Sequence, residues 1–249
     1  RTSLSYKVGL RWANYSRMKY AAISMLIIVF FGGCSTLKDS STSNRKPTTR
    51  ETTEGIIEAL LVGADHSSNK ASSKDGFFKN AAIKILFPPE AIKVRQAAVS
   101  VGLTPLVDRF ELSLNRAAED ASKKAKPILV SAIKRIKFKD VWEILFGGKN
   151  AATNYLRLKT EPQLLAAFTP IVQESIGREE VTKHWRPLAD AYNSIPFVKK
   201  VNPDLEAYVT TKTVDGLFVL IAEEERKIRE NPIARISELL QKVFGTKKD

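Results

Sequence analysis

One carboxylate stands out by its spacing. In the run from Leu205 to Arg229, the apolar residues Val214, Leu217, Ile221 and Ile228 recur at helical intervals. At about 100° per residue, Glu224 falls inside that stripe while Glu223 points the opposite way. A carboxylate on an apolar face needs a cationic partner, because burying it alone is costly. Arg116 and Arg157 are the candidates. Burial would raise the pKa of Glu224 and fit it for general acid/base work, so a hydrolase or lyase using a Glu224/Arg116 pair is one expectation. A structural ion pair is the other. His184, beside Trp185 and near Arg186, is a candidate cleft base, although no serine or cysteine nucleophile is placed to serve it. Glu223 with Lys227, and Glu225 with Arg229, read as four-residue pairs on a solvated face. Gly147-Gly148-Lys149 lacks the first glycine and the terminal Ser/Thr of a phosphate loop, and it follows a helix rather than a strand. One cysteine and two histidines imply no internal disulfide, no dedicated metal site and no cofactor.

The elements that must position these groups are helices. Ile57, Leu60 and Leu61 form one stripe in Glu54 to Val62, followed by a polar loop at 67–76. From Ala82 to Phe87, Ile83, Ile85 and Phe87 alternate with other residues, the only strand-like piece. Pro88-Pro89 opens a helix that Gly102 closes, and Thr104-Pro105 supplies an N-cap and a first-turn proline for the next. That helix carries Leu106, Phe110, Leu114, Ala117 and Ala121, and Pro127 kinks or splits it before Ile128 to Ile136. Asp140 caps a short helix ended by Gly147-Gly148, and Glu161-Pro162 starts another. Glu179 to Tyr192 forms one more. Asn202-Pro203-Asp204 precedes Leu205 to Arg229, and Asn231-Pro232 opens a closing helix to Phe244, with Gly245 as its stop. No repeat of fixed period is present. The expectation is an all-α fold: a single multi-helix bundle of about nine helices, with at most one short extended segment near 82–87.

The formal charge of +13 is unevenly distributed. The first fifty residues hold nine basic side chains against Asp39 alone, which leaves a net of only +5 over residues 51–249. Lys123-Lys124, Lys134-Arg135 with Lys137, and Lys199-Lys200 are small basic clusters without the aromatic interleaving of a nucleic-acid surface. A solvated surface accounts for such clusters, and contact with anionic lipid head groups is the leading alternative. Met18-Lys19 leads into the apolar run Ala21 to Phe31 and then Gly32-Gly33-Cys34. From Ala21 to Gly33 is roughly 20 Å of helix against about 30 Å of hydrocarbon, too short for a permanent span.

Phe31-Gly32-Gly33-Cys34 resembles the lipobox of bacterial lipoproteins, with Phe31 where that family usually has Leu. The resemblance implies a signal peptide at 18–33, removed so that Cys34 becomes the lipidated first residue and holds the chain on a bilayer. Residues 1–17 then form an upstream extension. Residues 34–50, rich in Ser and Thr, form a flexible tether with an r.m.s. reach of roughly 20–24 Å. Ser35 in place of Asp after the cysteine implies, by the same resemblance, the outer membrane, with residues 51–249 as a helical domain facing the periplasm.

Several runs within that domain act as a set: K-D-G-F-F at 74–78, L-N-R-A-A-E at 114–119, A-K-P-I at 125–128 and F-G-G-K-N-A-A-T-N-Y-L at 146–156. P-F-V at 196–198, N-P-D-L at 202–205, D-G-L-F at 215–218, I-A-E-E-E at 221–225 and R-E-N-P-I-A-R at 229–235 follow. In this order they resemble the bacterial domain of unknown function family 4197 over nearly all of residues 54–245. What this resemblance implies is a helical, exported, frequently lipid-anchored domain with no assigned activity. The leading expectation is therefore an envelope lipoprotein that binds an envelope protein or an amphiphilic ligand through a groove between helices. The alternatives are the Glu224/Arg116 hydrolase or lyase and a purely structural envelope protein.

Overall fold

Helix begins where the Ser/Thr-rich stretch ends. The computed structural model describes residues 45–178, 181–201 and 205–245, and only the backbone of Glu90, Phe138, Arg178, Val181, Thr182 and His184. The segments 1–17 and 18–33, Cys34, most of the tether, and Asn202-Pro203-Asp204 lie outside the described residues. In α1 (Thr49–Ser72), the Thr48 hydroxyl accepts the Glu51 N–H at 3.3 Å while the Glu51 carboxylate accepts the Thr48 N–H at 2.7 Å, a reciprocal cap. The helix continues through 67–72, expected as loop, because Ser67 and Ser68 are small enough to be buried in it.

Residues 84–88 have no regular secondary structure and join no sheet. Their alternation is as expected, with Ile83, Ile85 and Phe87 buried and Leu86 half exposed. The missing strand partner is a side chain: Asn115 accepts the Ile85 N–H at 2.9 Å and donates to the Ile85 carbonyl at 2.8 Å. A 3₁₀ turn, Pro89–Ala91, leads into α2 (Ile92–Ser100), and Gly102 at φ 84° supplies the left-handed turn that ends it. In α3 (Thr104–Ser122), Pro105 lies in the first turn, where its missing N–H costs nothing. The break before α4 (Ala125–Ile133) precedes Pro127, which also sits in a first turn. In α5 (Phe138–Phe146), Asp140 accepts the Lys137 N–H at 3.0 Å.

The largest departure from expectation is α6 (Ala151–Arg178), one helix of 28 residues that runs through Glu161-Pro162 instead of starting there. Pro162 and Pro170 both lie on its exposed side, as do Leu158 and Ala166, whose carbonyls lose their amide partners. Those carbonyls face water, so the helix persists. Pro187, within α7 (Val181–Asn193), is exposed in the same way. After α8 (Glu206–Glu230), Asn231-Pro232 opens only a 3₁₀ turn, Pro232–Ala234, in which the Asn231 side chain accepts the Ile233 N–H at 3.0 Å. The closing helix, α9 (Glu238–Gly245), starts later, with the Ser237 hydroxyl accepting the Leu240 N–H at 3.1 Å.

Among the described residues there are nine α-helices and no strand, so the fold is an all-α bundle. No described helix is long and apolar enough to cross a membrane. Helix α8 is its axis, packed against α1, α3 and α6 and burying Val209, Val214, Leu217, Phe218, Leu220 and Ile221. Phe87, Phe110 and Trp185 form an aromatic cluster, with ring centroids 4.5 to 5.9 Å apart. Gly216 lets the fully buried Phe77 reach α8: a methyl group there would lie 2.6 Å from the ring. Gly216→Ala should therefore lower the unfolding free energy by about 1–2 kcal/mol in urea titration, the clash outweighing alanine's better helix propensity.

Candidate functional site

Glu224 does reach a partly buried position, with a side chain 16% exposed, but in other company than expected. Lys227 donates to it at 2.5 Å and His66 Nδ1 lies 3.2 Å away. Burial pushes its pKa up, yet Lys227 and His66 together outweigh burial and leave it below the ordinary value. It is ionised at neutral pH, the opposite of a stored proton. Arg116 is engaged elsewhere, with Asp75 at 2.7 Å and Glu119 at 2.6 Å. Arg157 pairs with Glu161 at 2.7 Å and Asp215 at 2.6 Å. The Glu224/Arg116 pair is thus not formed. His184 lies on α7, and its side chain is outside the described residues. Glu223 pairs with Lys70 at 3.5 Å, not with Lys227.

The buried acid of α8 is the next residue. Glu225 is 9% exposed and its pairing with Arg229 is not a solvated one. Its carboxylate accepts the Ala152 N–H at 3.1 Å, the Thr153 N–H at 2.8 Å and the Thr153 hydroxyl at 2.7 Å. These are the first-turn amides of α6. Arg229 donates to Glu225 at 2.8 Å and, with its other nitrogens, to the carbonyls of Ile144 at 2.8 Å and Leu145 at 3.4 Å, in the last turn of α5. One ion pair on α8 therefore caps the end of one helix and the start of the next, with each charge at the pole that favours it. The signal was available: at about 100° per residue, Glu225 lies only about 20° from Val214 on the helical wheel. Its four-residue spacing to Arg229 disguised it.

Beside this pair opens a groove of about 820 Å³ between α5, the end of α8 and α9. Trp142 and Phe146 lie along it, their rings parallel within 4° and 5.2 Å apart, and they are 42% and 60% exposed. The Gly147-Gly148-Lys149 turn, Arg226 and Arg229 supply polar and cationic lining, and Glu230 is its one acid. Lys149 and Arg226 are exposed and make no ion pair among the described residues. Lys46 and Pro47 complete the wall at the start of the domain. A void of about 20 Å³, large enough for one water, lies inward of Arg229 and Phe244 and touches Glu225. Lys242 fastens the α9 wall by donating to Glu51 at 2.6 Å, and Arg235 fastens the connection before α9 by donating to the Ile228 and Arg229 carbonyls, both at 3.0 Å. Lys242, with the Thr48 cap, holds the Glu51 carboxyl down to a pKa of about 2.

A model of the protein family of unknown function DUF4197 matches residues 46–245. The chain belongs to this family. No curated protein and no solved structure matches it. The DUF4197 region begins at the groove wall, at Lys46, and ends with α9. Within it, L-N-R-A-A-E is an architectural run: Leu114, Ala117 and Ala118 are fully buried, and Asn115 pairs with Ile85. Arg116 ties Asp75 to Glu119, and Glu119 accepts the N–H groups of Phe77 at 3.2 Å and Phe78 at 3.3 Å. These contacts hold K-D-G-F-F, in which Asp75 adopts φ 66°.

Two outcomes follow from this geometry. Glu225→Ala should cost about 3 kcal/mol in urea unfolding, since it strands Arg229 and two amides, whereas Glu224→Ala should cost about 1 kcal/mol or less. Because the Glu51 carboxyl is depressed to about 2, its contribution is complete above its ordinary value of 4.5 and fades as pH falls toward 2. Melting temperature should fall more steeply across that window in the native chain than in Glu51→Gln.

Proposed function

We propose that this member of DUF4197 is a lipid-anchored protein of the bacterial envelope whose helical domain binds an amphiphile with an anionic head in the α5/α8/α9 groove. The carrying observation is the stacked, exposed Trp142/Phe146 pair bordered by Lys149 and Arg226. Flat apolar rings suit an acyl or ring-bearing body, and cations beside them suit a phosphate or carboxylate head. A volume of about 820 Å³ is in the range of small-molecule sites. This lining favours binding over a purely structural role, and a hydrolase or lyase built on Glu224 lacks its Arg116 partner.

The anchor is inferred from Phe31-Gly32-Gly33-Cys34 and the Ser/Thr-rich stretch after it, with Ser35 favouring the outer membrane and a periplasmic domain. Lys46 follows Cys34 by twelve residues, a chain reach of roughly 40 Å at most, so an acylated Cys34 keeps the groove near head groups.

The test is calorimetric titration of the full chain carrying Cys34→Ser with monomeric lysophosphatidylglycerol and, in parallel, zwitterionic lysophosphatidylcholine. The anionic lipid should bind more tightly. Lys149→Glu/Arg226→Glu should remove that preference, and Trp142→Ala should weaken both lipids about tenfold. Absence of binding, or binding indifferent to Trp142→Ala, would overturn the groove assignment. Mass spectrometry that finds the Cys34 sulfur unmodified in the native chain would overturn the anchor.

A further inference from the structure

A second surface, built from residues that line no part of the groove, carries a different kind of feature. The connection after α7 runs Ser194-Ile195-Pro196-Phe197-Val198-Lys199-Lys200-Val201. Its ends are pinned. Asn193 accepts the Val201 N–H at 2.9 Å and donates to the Val201 carbonyl at 3.1 Å, treating one residue as a neighbouring strand would. The Ser194 and Ile195 amides donate back to the carbonyls of Asp190 at 3.0 Å and Tyr192 at 3.1 Å. Val201 is buried, and Val198 packs against the core.

Between these fixed points Phe197 is held outward, 107% exposed, at φ 65°. A bulky side chain in the left-handed region carries backbone strain that surrounding contacts must hold in place. Here they hold an apolar ring in water when its neighbour Val198 packs inward. Ile195 is 48% exposed beside it. Lys199 and Lys200 follow, both exposed and without an ion pair among the described residues, and no acid occurs from Ser194 to Val201. An apolar tip next to paired cations is the chemistry of the bilayer interface, where rings sit at head-group depth and lysines meet anionic lipid.

We infer that the 194–201 loop is a membrane-contact tip, which seats Phe197 and Ile195 among the head groups of an anionic bilayer while Lys199 and Lys200 meet their charge. This contact is independent of the groove and of its ligand. Two lysines and an apolar tip give a contact of modest strength that grows with the amount of anionic surface offered, so an excess of vesicles populates it without any other anchor.

The test uses the full chain with its single cysteine replaced, Cys34→Ser, and a nitroxide placed through Ile195→Cys. A second chain labelled through Ser131→Cys, exposed on α4, is the reference. With an excess of phosphatidylcholine vesicles in which about a third of the lipid is phosphatidylglycerol, collision with an aqueous nickel complex at position 195 should fall about threefold, and collision with oxygen should rise. The position 131 label should stay aqueous. Phe197→Ser, and separately Lys199→Glu/Lys200→Glu, should restore the aqueous value at 195, and pure phosphatidylcholine should give little protection. If position 195 remains as open to nickel with anionic vesicles as without, or if 195 and 131 change together, the tip is not a membrane contact.

Discussion

The turn between α5 and α6 brings two helix ends into the interior, and neither end can satisfy its own backbone. Each stranded peptide group left without a partner would cost about 1–3 kcal/mol. Glu225 and Arg229 resolve both ends from a third helix, the anion on the amides of Ala152 and Thr153 and the cation on the carbonyls of Ile144 and Leu145. One helical turn separates them, which matches the gap they span. The direction in which α5 presents Trp142 and Phe146, the start of the long α6, and the inner edge of the groove are all set by this one pair.

The same solution recurs wherever the chain is irregular and buried. Asn115 completes the backbone of Ile85, Asn193 completes that of Val201, and Glu119 takes the two amides of Phe77 and Phe78. Each is a polar side chain on a rigid helix reaching a segment with no secondary structure of its own. Arg116 then neutralises Glu119 and secures Asp75 in its left-handed conformation. Runs that look chemically equipped in the sequence, L-N-R-A-A-E above all, are occupied with holding loops in place.

Helices with a regular apolar period, such as α3 and α8, were legible in the sequence, as was the inside/outside alternation of Ile83, Ile85 and Phe87. Pro162 misled because a proline's cost depends on which side of the helix it faces, and spacing alone does not say that a neighbouring carbonyl meets water. Glu225 was passed over for Glu224 because α8 is enclosed by α1, α3 and α6, so its buried arc is wider than one stripe. The groove was the least legible part. Its walls come from residues 46–52, 142–149, 226–230 and 243–244, and only their juxtaposition makes a site. One trace existed: α5 carries Val141 and Ile144, fully buried, and also Trp142 and Phe146, an apolar surplus for so short a helix.

The bridge from Lys242 to Glu51 joins residues 191 positions apart. Closing so long a loop is slow, and contacts of that separation form late in folding. The wall that α9 contributes therefore arrives after most of the bundle is in place, and the groove exists only in the completed domain. A chain still being made would display its aromatic pair early but could close no groove around it until the residues near 242 had followed. The groove is in this way a product of the chain's complete assembly and of no shorter part of it.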